Sequence, residues 1–106
     1  MDRETITRIK KFTADRDWGQ FHSPGNLAKS ISIESGELLE LFQWSDNTVD
    51  IDKVRDELAD ILVYCCLLAN KFNLDITEII HTKIDKNEIK YPISKAKGKS
   101  TKYDKL

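Results

Sequence analysis

No stretch of this chain approaches the roughly 18 consecutive apolar residues that a membrane-spanning helix requires. The opening Met1-Asp2-Arg3-Glu4 leads into mixed charge and lacks the apolar core of a signal peptide. There is no glycine-rich loop, no alternating strand pattern and no internal repeat. Cysteine is confined to the adjacent pair Cys65-Cys66 inside an apolar run, which is neither a disulfide framework nor a C-x-x-C pair. Two small core-filling side chains in a reducing compartment account for it. Nor is there an excess of charge of one sign: the formal net charge is −1, which argues against a general nucleic-acid binder. These absences leave an expectation of a cytoplasmic chain with no membrane or nucleic-acid partner.

The 106 residues suit one compact domain, residues 1–106, with a basic C-terminal arm over 92–106. A domain this short buries only part of its unfolded surface, so pairing with a copy of itself to complete the core is a fair expectation. The charge that is present is unevenly spread. Nine acids against Lys53 and Arg55 lie between Glu34 and Asp60, whereas five lysines and one aspartate lie between Pro92 and Leu106. An acidic centre with basic flanks suits a protein that holds cations and a polyanion together; solvated helix faces and a loose arm would read the same way.

Apolar spacing and end signals predict four helices and an all-α, four-helix-bundle-like fold. The first covers about Arg3 to Asp15, with Ile6, Ile9 and Phe12 at helical spacing. After the polar and aromatic loop Arg16 to His22, Ser23 and Pro24 signal a second helix, expected to reach about Trp44. The third starts at Asp50 to Asp52 and continues to about Phe72. Asp75, followed three residues later by Glu78, starts the fourth as in a capping box, and Pro92 stops it by Lys90 or Tyr91. The residues beyond are read as an extended or weakly ordered arm.

The informative positions are polar residues where the helical period expects apolar ones. With Glu34 at zero, Leu27, Ile31, Leu38, Leu41 and Phe42 fall in an arc from roughly −20° to +80°. Glu34 lies inside that arc, Glu37 at its edge, and Glu40 points away. On the third helix Val54, Leu58, Ile61, Cys65, Leu68 and Phe72 cluster about 60° from Glu57, with Asp60 and Tyr64 beside Glu57 on the edge of the stripe. Residues three apart are neighbours on a helix, so each helix offers a carboxylate pair, and two facing helices would bring four carboxylates into one pocket. A buried ionised carboxylate must be paired, protonated or bound to a cation. Oxygen ligands without sulfur select magnesium, manganese or calcium. Di-iron helical proteins want Glu-x-x-His pairs; here Glu37 and Asp60 stand where those histidines would be, and His22 and His81 lie elsewhere. The spacing alone is equally compatible with solvated helix edges, and the inward place of Glu34 favours a metal.

The fourth helix supplies opposite charge: Ile76, Ile80, Lys83, Asn87, Lys90 and Tyr91 lie within about 60° of one line. The lysines either snorkel outward from an apolar stripe or point at a phosphate chain with Asn87 alongside. Trp18 and Trp44, at helix–loop junctions, suit core caps or base-stacking platforms. His22 reads as a loop anchor and His81 as solvated.

Taken in order, Arg16-Asp17-Trp18-Gly19-Gln20-Phe21-His22-Ser23-Pro24-Gly25-Asn26-Leu27-Ala28, Glu34-Ser35-Gly36-Glu37-Leu38, Phe42-Gln43-Trp44, Glu57-Leu58-Ala59-Asp60-Ile61 with Tyr64, then Lys83, Asn87, Lys90-Tyr91-Pro92, Gly98 and Lys102-Tyr103 resemble the MazG-like nucleotide pyrophosphohydrolases, especially the dCTP pyrophosphatase branch. The resemblance implies an all-α NTP pyrophosphatase fold binding Mg²⁺, with Mn²⁺ as a substitute, through Glu34, Glu37, Glu57 and Asp60. It implies hydrolysis of a nucleoside triphosphate to monophosphate and diphosphate, with dCTP or a related pyrimidine deoxynucleotide as substrate. Glu34, or else Glu37, would accept the proton of the attacking water. Trp18, His22, Asn26, Trp44 and Tyr64 would surround the nucleoside, and Lys83, Asn87, Lys90, Tyr91, Lys102 and Tyr103 would hold the phosphates. Homodimers or homotetramers are implied as well, with sites near the subunit contacts. Cys65-Cys66 departs from the aliphatic residues usual in relatives. Two alternatives stand beside this reading: a non-catalytic helical module with a structural metal site, and a relative acting on phosphoribosyl-ATP.

Overall fold

A computed structural model describes residues 1–47 and 49–106, and among these every regular element is helical. In chain order they are α1 (Arg3–Asp15), the 3₁₀ turn Trp18–Phe21, α2 (Pro24–Glu40), α3 (Ile51–Lys71), α4 (Ile76–Lys90), the single turn α5 (Ile93–Ala96) and a closing 3₁₀ turn Tyr103–Lys105. Among the described residues no helix is long and apolar enough to cross a membrane.

The starts lie where capping oxygens stand. Asp2 accepts the N–H of Thr5 at 2.8 Å, Ser23 that of Asn26 at 3.1 Å with Pro24 at the first helical position, and Asp75 that of Glu78 at 3.1 Å. Asp50 accepts from Asp52 at 3.0 Å. Each bond satisfies an N–H that the helix leaves unpaired. The end of α3 is closed by a Schellman arrangement: Leu74 N–H bonds to the carbonyl of Ala69 and Asn73 N–H to that of Asn70. Asn73 sits between them at φ 54°, a left-handed conformation that asparagine tolerates better than most residues.

Two expectations need correction. The second helix does not run to Trp44 but stops at Glu40, because the N–H groups of Leu41, Phe42 and Gln43 turn to the carbonyls three residues back, tightening the chain out of the α-helix. Ser45 then draws the N–H of Asn47 to its hydroxyl at 3.1 Å, a local bond that competes with helix. Trp44 caps no core; it is 89% exposed. The arm beyond Pro92 is not simply extended: the Pro92 carbonyl accepts the N–H groups of Lys95 and Ala96 and starts α5, and a second turn forms at Tyr103.

The chain forms two compact units, Met1–Leu74 and Asp75–Leu106. The division falls at the start of α4, ahead of the change in composition at Pro92. In the first unit the chain reverses after α2, so that α3 runs back along it; these two helices form the main pairing and α1 packs on α3. Among the described residues Leu27, Cys66, Leu67 and Ala69 are the buried ones. Burial, then the adjacent Cys65, pushes the Cys66 thiol up, so it stays protonated and packs as a small apolar group. Leu58 and Phe72 were expected in the apolar stripe of α3, yet are 44% and 59% exposed. They are joined at the surface by Ile33, Leu39, Ile51 and Leu62 in the first unit, and by Ile89 and Ile93 in the second.

Candidate metal centre

α2 and α3 each place a glutamate on the line where the two helices meet. Glu34 lies on the inward face of α2 with Leu27, Ile31 and Leu38, and one turn along the helix Glu37 lies at the edge of that face. Glu57 faces them from α3. One carboxylate oxygen from each of Glu34, Glu37 and Glu57 lies within 4.8 Å of the others. Glu34 and Glu57 are half-buried, and in each of them Oε2 is shut off from solvent with no hydrogen-bond donor. Glu37 is exposed and closes the group on the solvent side.

Such an arrangement is unfavourable with all three groups ionised. Burial pushes the Glu34 carboxyl up from 4.5 to about 7, assisted by the neighbouring Glu37 carboxylate, then by Glu57 and Asp60. Glu57 is raised as well, first by burial and then by Glu37, while its contact with Glu34 works in the opposite direction. The donor set therefore fits a hard divalent cation: three oxygens, no sulfur or nitrogen, and two orphaned buried oxygens that a cation would satisfy.

Asp60 is not one of this trio. It is exposed, adds charge to the field at Glu34 and Glu57, and lines a cleft of about 400 Å³ with Thr5, Arg8, Ile9, Phe12 and Val63. In the wall of this cleft Phe12 meets Trp18, from the turn after α1, edge to face at 5.5 Å. The Arg16 guanidinium stacks on the Phe12 ring, 3.8 Å from its centre, and donates to the Phe12 carbonyl at 3.0 Å. Phe12, Arg16 and Arg8 were not singled out from the sequence: Phe12 was read as a core position of α1, and only its 46% exposure beside a tryptophan marks it as a wall.

His22 is half-buried and packs edge to face on Tyr64 of α3 at 6.3 Å. Asn26 spends its amide N–H on the Phe21 carbonyl at 3.0 Å, which ties the turn to the start of α2. Trp44 stands apart in solvent. Within the second unit Lys90, Tyr91 and Tyr103 come together: the two rings meet edge to face at 6.1 Å, and Lys90 Nζ lies 4.8 Å from the Tyr103 ring centre. Lys83 is exposed and Asn87 half-buried on α4, and Lys102 is exposed just before Tyr103.

Carboxylates brought together from two helices, with nothing but oxygen to offer, give this all-α protein a candidate divalent-cation site. The chain belongs to the MazG-like family, whose sequence profile matches residues 29–106. It is 36% identical to dCTP pyrophosphatase 1 of Mus musculus over 97% of its length, and 36% identical to dCTP pyrophosphatase 1 of Homo sapiens over the same share; it spans 66% of each of those proteins. Among solved structures it resembles a pyrophosphatase from Archaeoglobus fulgidus, with 38% identity and a TM-score of 0.74, covering 84% of this chain and 90% of that one. The expected family and the all-helical fold are both borne out.

Proposed function

We propose that the chain is a Mg²⁺-dependent nucleoside triphosphate pyrophosphohydrolase, converting an NTP or dNTP and water to the monophosphate and diphosphate, with dCTP or a related pyrimidine deoxynucleotide as its preferred substrate. The observation that carries this is the meeting of Glu34, Glu37 and Glu57 with two buried oxygens lacking donors, in a chain of the MazG-like family. Magnesium, or manganese in its place, would be held by these three and by Asp60 at the mouth of the cleft. When bound it supplies charge to offset the phosphates and to acidify water.

In this reading the oxygen of a water attacks the α-phosphorus, the bond to the bridging oxygen of the β-phosphate breaks, and diphosphate departs. Glu34 accepts the water proton: its burial gives it the basicity that such a role needs near neutral pH, with Glu37 the second choice. The cleft beside Asp60 takes the nucleoside, with Trp18 on the Phe12 wall and with His22, Tyr64 and Asn26 completing its surroundings, while Trp44, apart in the single chain, would serve the ligand of a neighbouring copy. Lys83, Asn87, Lys90, Tyr91 and Lys102 hold the phosphate chain and the charge that develops on the leaving diphosphate, with Tyr103 beside Lys90. The free cysteines suit a cytoplasmic setting.

A panel of canonical and modified NTPs and dNTPs, each with Mg²⁺ and with EDTA, tests the activity. Equal amounts of monophosphate and diphosphate should form only with the metal, and fastest from dCTP or a close pyrimidine relative. Binding of nucleotides without release of diphosphate from any of them would replace this reading with a non-catalytic module; activity confined to phosphoribosyl-ATP would relocate the substrate.

The uncovered aliphatic residues of both units also lead us to propose a homodimer or homotetramer. Sedimentation at micromolar concentration should give two or four times the 12.2 kDa chain mass. A single 12.2 kDa species would leave Ile33, Leu39, Ile89 and Ile93 without the partner we assign them.

A further inference from the structure

We propose that Tyr103 is a positioning residue whose ring holds the Lys90 ammonium ready for the phosphate chain; this deepens the reading above and rests on the place given there to Lys90. The backbone explains how the two residues meet. α4 ends at Lys90, and the Tyr91 N–H closes the helix on the Asn87 carbonyl at 2.7 Å before Pro92 turns the chain into α5. Gly98 then adopts φ 77°, a conformation that residues with side chains rarely take, and the chain returns into the turn Tyr103–Lys105.

On its return Tyr103 meets Tyr91 edge to face at 6.1 Å, with the ring planes 81° apart, and Lys90 Nζ lies 4.8 Å from the Tyr103 ring centre. That distance is inside the range of roughly 6 Å over which a ring face attracts an ammonium. Tyr91 thus braces the ring, and the ring braces the lysine.

The choice of an aromatic partner has a chemical consequence. A carboxylate would hold Lys90 by neutralising it and by occupying its N–H groups. A ring face attracts the charge through its quadrupole and accepts no conventional hydrogen bond, so an ammonium with three donors keeps its full charge for an anion. Restricting a long, flexible side chain beforehand also lowers the ordering cost on binding. The ring of Tyr103 is the part that matters here, and its hydroxyl is not.

The test uses the full chain in its native oligomeric state, with kcat and KM measured for the best triphosphate of the panel. Tyr103→Leu should raise KM about three- to tenfold with a smaller change in kcat. Tyr103→Phe, which keeps the ring, should recover most of that loss. In a Lys90→Gln background Tyr103→Leu should add nothing further. Independently of activity, the ε-methylene protons of Lys90 should show an upfield ring-current shift in the wild type and in Tyr103→Phe that disappears in Tyr103→Leu.

Equal damage from Tyr103→Phe and Tyr103→Leu would make the hydroxyl the acting group and overturn the proposal. So would an undiminished effect of Tyr103→Leu in the Lys90→Gln background, or the absence of the ring-current shift. A wild-type KM in Lys90→Gln would be a different failure, that of Lys90 as a phosphate ligand, and would remove the positioning role with it.

Discussion

Glu34→Gln should lower kcat/KM by roughly three orders of magnitude while leaving the helical fold intact. Glutamine keeps the shape of the side chain and its place among Leu27, Ile31 and Leu38, so circular dichroism should be unchanged. What it loses is a negative ligand oxygen and the only inward carboxylate on α2. The same substitution should raise the melting temperature of the metal-free protein, because it removes a carboxylate whose Oε2 is buried without a donor and which stands among Glu37, Glu57 and Asp60. Loss of activity coupled to a gain in metal-free stability is the signature of a site built for a ligand and not for the fold. Glu57→Gln should follow the same pattern. Asp60→Asn, outside the trio and exposed, should cost less, and Glu40→Gln should cost nothing measurable. Wild-type turnover in Glu34→Gln would remove both its roles, as ligand and as proton acceptor.

Removal of divalent cations should reduce turnover by a comparable factor, roughly three orders of magnitude, with Mg²⁺ restoring it and Mn²⁺ substituting. The linked effect on stability has a sign that follows from the carboxylates. Glu34 titrates at about 7 in the folded chain against an ordinary value of 4.5, so the folded state holds that proton more tightly than the unfolded state. The stability this contributes is fully present below about pH 4.5 and is lost as the pH rises through about 7. The metal-free protein should therefore melt lower at about pH 8 than at about pH 5.5 as far as this group decides the matter. A cation reverses the trend, since it binds the ionised form and expels the proton. Saturating Mg²⁺ should raise the melting temperature more at about pH 8 than at about pH 5.5, and binding should release protons to the buffer near neutrality. An equal rise at both pH values would mean that these carboxylates do not bind the metal.

The sequence made the helix starts plain because a start is a local event: Ser23 with Pro24, Asp50, and Asp75 with Glu78 each carry their own capping atoms. The end of α2 was less legible. Phe42 and Trp44 continue the apolar pattern, but the decision lies in backbone bonds that slip to three-residue spacing and in the Ser45 hydroxyl, which hydropathy does not register. The return of the chain from Gly98 to Tyr91 is a tertiary contact between two rings and leaves no periodic trace.

The carboxylate trio was legible for the opposite reason. Glu34 is a charged residue inside an apolar arc, a conflict between pattern and chemistry that a solvated face does not produce, and the structure half-buries its carboxylate together with that of Glu57. Asp60 shows the limit of that argument. At i+3 from Glu57 it shares the edge of the helix, yet a three-residue step also moves it around the helix by about 60° and along it by about 4.5 Å, enough to face the cleft with Arg8 and Phe12. Leu58 and Phe72 fail as core residues in the single chain because the surface that would cover them is not supplied by α1 or α2.

The central claim is that oxygen ligands from α2 and α3 share a divalent cation, and anomalous diffraction from crystals grown with Mn²⁺ tests it most directly. The account predicts a peak between the two helices, roughly 2.0 to 2.3 Å from carboxylate oxygens of Glu34, Glu37 and Glu57. Manganese bound only elsewhere on the chain, with those three side chains retaining an unshared gap between them at saturating metal, would contradict it.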